Sequence, residues 1–591
     1  MKRLRWLGLL GAFGVLVAAC GPGVTSTTVA PTTATTVPVA TTAPPGAGAG
    51  GELLLLQWQA PSQANAYLST GTKDLLASSL VIEPLAKYDP AGLLVPALAA
   101  EIPTAENGGI PADQLSITWK LKEGVVWSDG TPLTADDVVF SWQYCTADLS
   151  GCAADFTMLA NVEAVDATTV KLTFNTAQPF PFVPFVGYTY PIIQKAQFAD
   201  CLGDKAVACS EQNFAPVGTG PYTVTELKPE DTVTYAFNPN YRGVPDGKPF
   251  FGTVTIKGGG DAEAAARSVL EIGEADYGWN LQVAPEVLGP MEAAGNGVVK
   301  VAFTANVEHL NFNQTDPGTD PRSDYKGGAN PHPVFTGNPD LIRALSMAIS
   351  REELVAVGYG AAGTPTCTIW PVPGQMSTNN DWCLTQDIPG ANALLDQIGA
   401  VDSDGDGVRE WNGTPLAFDF VTSTNAVRQS NQDLIKSYWE QIGVQVEMRN
   451  VDAGLFFDGT GASDDNIWKF FTDIEMFTNG STSPDPQGYM LSWQIDQIPD
   501  AANNYAPLGN IPRFASPDYD ATWAQLAATA LTDPARNDLV IKLNDLLVSS
   551  GAIVPLVHRG SVSAFANSIQ GVGDLNGWDS EYWNIEEWTR S

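Results

Sequence analysis

Positive charge is scarce in this sequence. Against 66 Asp and Glu there are 30 Lys and Arg in 591 residues, a formal net charge of −36 at pH 7. So few cations cannot build the basic stripe that a nucleic-acid backbone needs, which excludes nucleic acid as a partner. The field mildly favours neutral or cationic partners. Histidine is rarer still: His309, His332 and His558 are the three, and none sits in an HExxH or CxxC context, which argues against a His-rich zinc site. Neither GxSxG nor GxxxxGK[ST] occurs; at the nearest approach to the latter, Gly247-Lys248 is followed by Pro249. A hydrolase elbow and a phosphate loop are therefore unsupported. Charged residues make up only 16%, whereas 44% are hydrophobic and 16 are Trp, so the bulk of the chain is globular. Its length corresponds to roughly three or four domain-sized units.

The amino terminus lacks a run long enough to span a bilayer. Trp6 to Ala19 is uncharged for about 14 residues and follows Lys2, Arg3 and Arg5, so residues 1–19 read as a signal peptide. The run ends in Val17-Ala18-Ala19-Cys20-Gly21, which resembles the bacterial lipobox and implies diacylglyceryl modification of Cys20. Cleavage removes three cations and no anion, so no basic patch remains to hold a membrane and the lipid must do so. From Gly21 to Gly51 no residue is charged, and Thr, Ala, Pro, Val and Gly dominate. Residues 20–51 therefore form the anchor and an extended tether, with a reach of roughly 90 Å at 3.1 Å per residue. The expected location is the outer face of the cell membrane, on the periplasmic or extracellular side.

After Cys20, six cysteines remain in three close pairs: Cys145 with Cys152, Cys201 with Cys209, and Cys367 with Cys383. An even count in an exported chain argues for disulfides, and proximity favours these three local ones among the fifteen pairings possible.

The globular part mixes strand and helix signals. Glu52 to Trp58 reads as a buried strand, and around Leu115 the alternation puts Leu115, Ile117, Trp119 and Leu121 on one face. Ser128 to Pro132 is a turn, and Thr134 with Asp137 is a capping box for a helix whose apolar face is Val138, Val139 and Trp142. Further helix starts lie at Asp261, Asn338-Pro339, Ser350 and Asp533-Pro534. Mixed elements without a short repeat imply an α/β or α+β architecture.

Eight stretches carry a family resemblance, in order along residues 52–591. They are VIEPLAKYDPAGLLVPALAAEIPT, LSITWKLKEGVVWSDGTPLTADDVVFSWQY from Leu115, Gly218-Thr219-Gly220-Pro221-Tyr222, Asn238-Pro239-Asn240-Tyr241, LNFNQ from Leu310, IRALSMAISREEL from Ile342, Asp485-Pro486, and NDLLVSSGAIVPL from Asn544. Together they resemble the family 5 extracellular solute-binding proteins, the oligopeptide, dipeptide and nickel receptors of ABC importers. The motifs themselves read as scaffold: SDGTP a turn, TADDV a cap, GTGPY a close backbone approach that needs glycine. The resemblance implies an α/β two-lobe, periplasmic-binding-protein-like fold of type II, in the large peptide-binder variant with an extra subdomain in lobe one. Lobe one would be 52–86, 213–305 and 555–591, the subdomain 87–212, and lobe two 306–554. Hinge strands would lie near Asn311 to Asn313 and Ile553 to Leu556.

By the same resemblance, the protein is a monomeric binding subunit and not an enzyme. It captures a small solute, most readily a peptide, between its lobes and delivers it to an ABC permease. Peptide binders of the family hold the peptide amine with an aspartate shortly before the Asp/Glu-Pro pair. Ungapped counting from Asp485-Pro486 puts Thr482 there, after Asn479-Gly480-Ser481, and only a gap would bring in Asp485 or Asp473. The expected ligand-facing residues are Trp58, Phe477, Asn479, Trp493, Tyr505 and His558, the last paired with Arg559 at the end of the returning strand. An oligosaccharide ligand and a sensor role on the same scaffold are the alternatives; an extracellular hydrolase has no recognisable carboxylate pair. No cofactor is implied. Asp402, Asp404, Asp406 and Glu410 match the first half of a calcium loop, but Gly413 stands where the bidentate acid belongs, so a plain acidic turn competes with a structural Ca²⁺.

Overall fold

The Leu-rich run from Glu52 forms a strand because both of its faces find apolar partners. In the computed structural model, Glu52–Leu56 runs parallel to Thr253–Lys257 on one side and Tyr277–Gly278 on the other. Leu53 and Leu55 enter one core cluster, and Leu54 and Leu56 pack on another behind the sheet. The structure describes residues 46–69, 71–147, 156–459, 461–481, 483–531 and 533–591. The expected signal peptide, Cys20, the tether to residue 45, Cys152 and Thr482 lie outside the described residues. Among the described residues, no helix is long and apolar enough to cross a membrane.

Two large sheets organise the chain. The seven-stranded sheet runs in the order Gly297–Ala302, Ser561–Ala566, Tyr277–Gly278, Glu52–Leu56, Thr253–Lys257, Thr232–Phe237 and Tyr222–Lys228. The six-stranded sheet runs Gly363–Pro365, Ile553–Arg559, Val307–Phe312, Ile474–Asn479, Ala417–Ser423 and Gln445–Val451. The chain passes from the first sheet to the second at 303–306 and returns at Gly560. These passages run antiparallel, with Ala302 opposite Ser561 and the Arg559 amide bonded to the Asn306 carbonyl at 3.0 Å. A boundary at 554/555 would fall inside Ile553–Arg559, whose partners belong to the second sheet.

A smaller sheet of Ser116–Lys120, Thr169–Phe174 and Leu159–Ala164 shares its core with the first large sheet through Ile117, Trp119 and Leu172. Leu115 departs from the expected alternation: it precedes the strand and is exposed. Helix Ala135–Cys145 begins at the expected capping box of Thr134 and Asp137. Its buried face, however, is Val138, Phe140, Ser141 and Tyr144, with Tyr144 against Tyr67 and Phe198 and the Ser141 hydroxyl accepting from the Ile193 amide. The GTGPY turn lies against Val81, where a Cβ on Gly218 would meet the Val81 carbonyl oxygen at 1.8 Å. Cys201–Cys209 and Cys367–Cys383 are disulfides; the third expected pair involves Cys152.

Candidate functional site

A cavity of about 750 Å³ opens between the two large sheets, beside the paired passages. The first-sheet side supplies Trp279, Asn280 and Gln282, and the second-sheet side Arg428, Phe477 and Thr478. Strand Ile474–Asn479 delivers Phe477 and Asn479 to it, and helix Ala426–Glu440, capped by the Asn425 side chain on the Arg428 amide, delivers Arg428. Phe477 stands edge-on to Phe456, Phe457 and His309, which fixes its ring.

Below the cavity lies a buried polar group. Arg428 donates to both carboxylate oxygens of fully buried Glu308, from Nε at 2.7 Å and Nη2 at 3.2 Å, and the Thr478 hydroxyl also donates to Glu308. Burial pushes the Glu308 carboxyl up, but Arg428, the more distant Arg559 and Thr478 together more than offset it, and the group lies below its ordinary value. Two acids at the cavity edge go the other way. Burial pushes Asp579 up to about 6, against amide bonds from Tyr88 and Ser580, and Glu581 up to about 7, against hydroxyl bonds from Ser563 and Tyr277.

Of the six residues expected to face ligand, Phe477 and Asn479 line this cavity. The other four sit elsewhere. Trp58 donates from its indole to the Asn280 carbonyl at 3.1 Å, packed behind the first sheet. Trp493 is 1% exposed in the core, against Tyr489 and His309. Tyr505 bonds the Arg322 carbonyl and meets Phe471 edge-on. The His558 ring contacts the Thr304 carbonyl at 2.7 Å and Phe303. Its neighbour Arg559 is the one that lines the cavity, since adjacent strand residues point to opposite faces. Sequence reasoning did not reach Trp279, Trp468 or Phe457, which also line it; they arrive from separate segments with no shared motif.

The aspartates that a gap could bring into play are engaged outside the cavity: Asp485 with Arg536, and Asp473 with His332 and the Asp419 amide. The acidic loop does gather Asp402, Asp404, Asp406 and Glu410, with ligand atoms within 4.8 Å of one another. Those oxygens hold their own turn: Asp402 accepts from Gly405 at 2.7 Å and Gly407 at 3.0 Å, Asp406 from Val408 at 2.8 Å, and Glu410 from Ser403 at 2.8 Å. A calcium site is not supported.

Two α/β halves joined by paired crossings, with a polar and aromatic cavity between them, define a bilobal solute-binding protein of type II. The family model described as bacterial extracellular solute-binding proteins, family 5, middle region, matches residues 94–510, and the chain belongs to that family, which serves ABC importers. It is 24% identical over 477 residues to the glutathione-binding protein GsiB of Escherichia coli K12, covering 79% of this chain and 82% of that one. The fold matches the oligopeptide-binding protein AppA of Bacillus subtilis, solved with a nonapeptide, at a TM-score of 0.75 and 18% identity, covering 92% of this chain and 100% of AppA. It also matches NikZ of Campylobacter jejuni, solved with Ni(L-His), at 0.73 and 20% identity, covering 91% and 99%. These relatives are binding proteins.

Proposed function

We propose that the protein captures a small peptide-like solute in the interlobe cavity by closure about the paired crossings and hands it to an ABC permease without chemical change. The observation that carries this reading is the cavity itself. Its volume of about 750 Å³ suits a small solute, and its walls come from both sheets, so a bound solute would touch both halves at once. The glutathione and peptide ligands of relatives favour a peptide-like solute. Lobe one would comprise 52–302 and 561–591, including the subdomain at 87–212, and lobe two 307–559. Lipid on Cys20 would tether the monomer to the outer face of the membrane.

Mass spectrometry of what is released on denaturing the purified protein, with thermal-shift screening of peptide pools, glutathione and glycans, tests the reading. Stabilisation by a peptide or glutathione is expected. Stabilisation by glycans and by no peptide would replace it with the oligosaccharide reading, which the Trp279 and Trp468 faces favour. Turnover of a glycoside or peptide substrate would overturn the absence of chemistry.

A further inference from the structure

The acids around the cavity already have donors. Asp74 accepts from the Ser62 amide and the Ser69 hydroxyl, each at 2.6 Å, with Lys73 Nζ 3.4 Å away. Asp579 takes backbone amides, Glu581 takes two hydroxyls, and Glu308 beneath the cavity is matched by Arg428.

The cations are not matched one for one. Lys73 has Asp74 and Glu230, and Arg428 has Glu308, yet among the described residues no carboxylate lies within ion-pairing distance of Arg559. This side chain is only 8% exposed and lines the cavity. Its hydrogen-bond partners are neutral, while Glu308, Glu581 and the cation Arg428 act on it only through space, without contact. Nη2 donates to Asn280 Oδ1 at 2.9 Å and Nη1 to Thr478 Oγ1 at 3.3 Å, while the Gln282 amide fits best with its oxygen toward both Nη atoms. Nε is buried without a hydrogen-bond partner among the described residues. Neutral oxygens orient a guanidinium without pairing it, and the non-contacting acids offset the cost of its burial only in part. Burial accordingly holds Arg559 below its ordinary value.

A site built this way is completed by an anion, which a guanidinium binds with charge-assisted hydrogen bonds. We propose that Arg559 anchors an anionic group of the solute, a carboxylate or a phosphate, so that the solute is held as an acid beside the crossing of the two sheets. This rests on the solute-capture reading above and adds the chemistry of the substrate. It also reverses the polarity expected of an amine-anchored peptide, consistent with Asp485 and Asp473 being engaged away from the cavity.

The test uses the mature chain with defined probes: a free-acid tripeptide pool, the same pool amidated at its carboxyl end, succinate and glutarate, and glycerol phosphate. Thermal shift and titration calorimetry are run on the wild type, Arg559→Gln and Arg559→Lys. The expected result is that an acid probe stabilises the wild type and that its amidated or neutral counterpart binds at least roughly tenfold more weakly. Arg559→Gln loses the same factor and Arg559→Lys retains part of it. Carboxylate and phosphate probes then separate the two sources of anion. Equal binding of acids and amides, acid binding that survives Arg559→Gln, or no binding of any acid probe overturns the proposal. If the amidated pool binds as well as the free acids, the peptide reading stands and the anion anchor falls. If dicarboxylates or glycerol phosphate bind through Arg559 and peptides do not, the reverse holds. Should Arg559→Gln fail to fold, the acid-against-amide comparison on the wild type decides alone.

Discussion

Asp485 and Arg536 face each other in a nearly closed pocket, one Nη2 donating to both carboxylate oxygens at 2.9 and 2.7 Å, with side chains 11% and 4% exposed. The pair ties the start of helix Pro486–Leu491 to helix Ala535–Ser549. Asp485→Asn keeps the cap on the Gln487 amide but strands a buried guanidinium, so a loss of about 3 kcal/mol is expected. Denaturant unfolding measures it, and calorimetry with whichever solute is found should show unchanged affinity. A variant with normal stability and lost binding would make Asp485 a ligand residue after all.

Gly218 is required by space. Gly218→Ala drives a methyl into the Val81 carbonyl, and about 3 kcal/mol or more is the expected cost. Gly488 in helix Pro486–Leu491, where an added Cβ would meet only Val183 Cγ2 at 3.8 Å, is the contrast. There Gly488→Ala should stabilise by roughly 0.5–1 kcal/mol. Paired melting curves with shifts of opposite sign check both.

Stability should fall as pH rises through neutrality. Glu581 has its pKa raised from 4.5 to about 7 by burial, so the folded state holds that proton more tightly than the unfolded one. Its contribution is complete below the ordinary carboxylate value and is lost as pH climbs through about 7, a change on the order of 3 kcal/mol. Asp579, raised to about 6, adds in the same direction. Glu308, held below its ordinary value, acts in the opposite sense and withdraws stability only at acid pH. Glu581→Gln should flatten the slope between pH 5 and 8 in a melting series; an unchanged slope would assign the dependence elsewhere.

Cys367 and Cys383 close a loop of sequence separation 16, and the Cys383 carbonyl accepts from the buried Arg351 Nη1 at 2.9 Å. Replacing both cysteines by serine should cost about 3 kcal/mol. Guanidine unfolding with and without reductant gives the number, and an insensitive wild type would show that the bond contributes little.

Signals confined to a few residues were legible in the sequence. The Thr134–Asp137 box, the Gly218 turn and the two disulfides each need only their own neighbourhood. The site was less so, because Trp279, Arg428 and Trp468 come from separate segments and line one cavity only in the folded chain. Strand alternation places Arg559 and His558 on opposite faces, yet which face looks into the cavity depends on the strand's partners, Val307–Phe312 and Gly363–Pro365. Leu115 shows the same limit at a strand end, where periodicity cannot say which residue is first.

Because the two passages at 303–306 and Gly560 lie side by side, they act as an axle for any rotation of one sheet against the other. Displacement in such a motion grows with distance from the axle. Arg559, one residue from Gly560 and bonded through its amide to Asn306, would scarcely move, whereas cavity-wall residues remote from the crossing would travel further. An anchor at the axle grips a solute equally in the open and closed forms, so it sets who enters. The energy that drives closure must come from the walls.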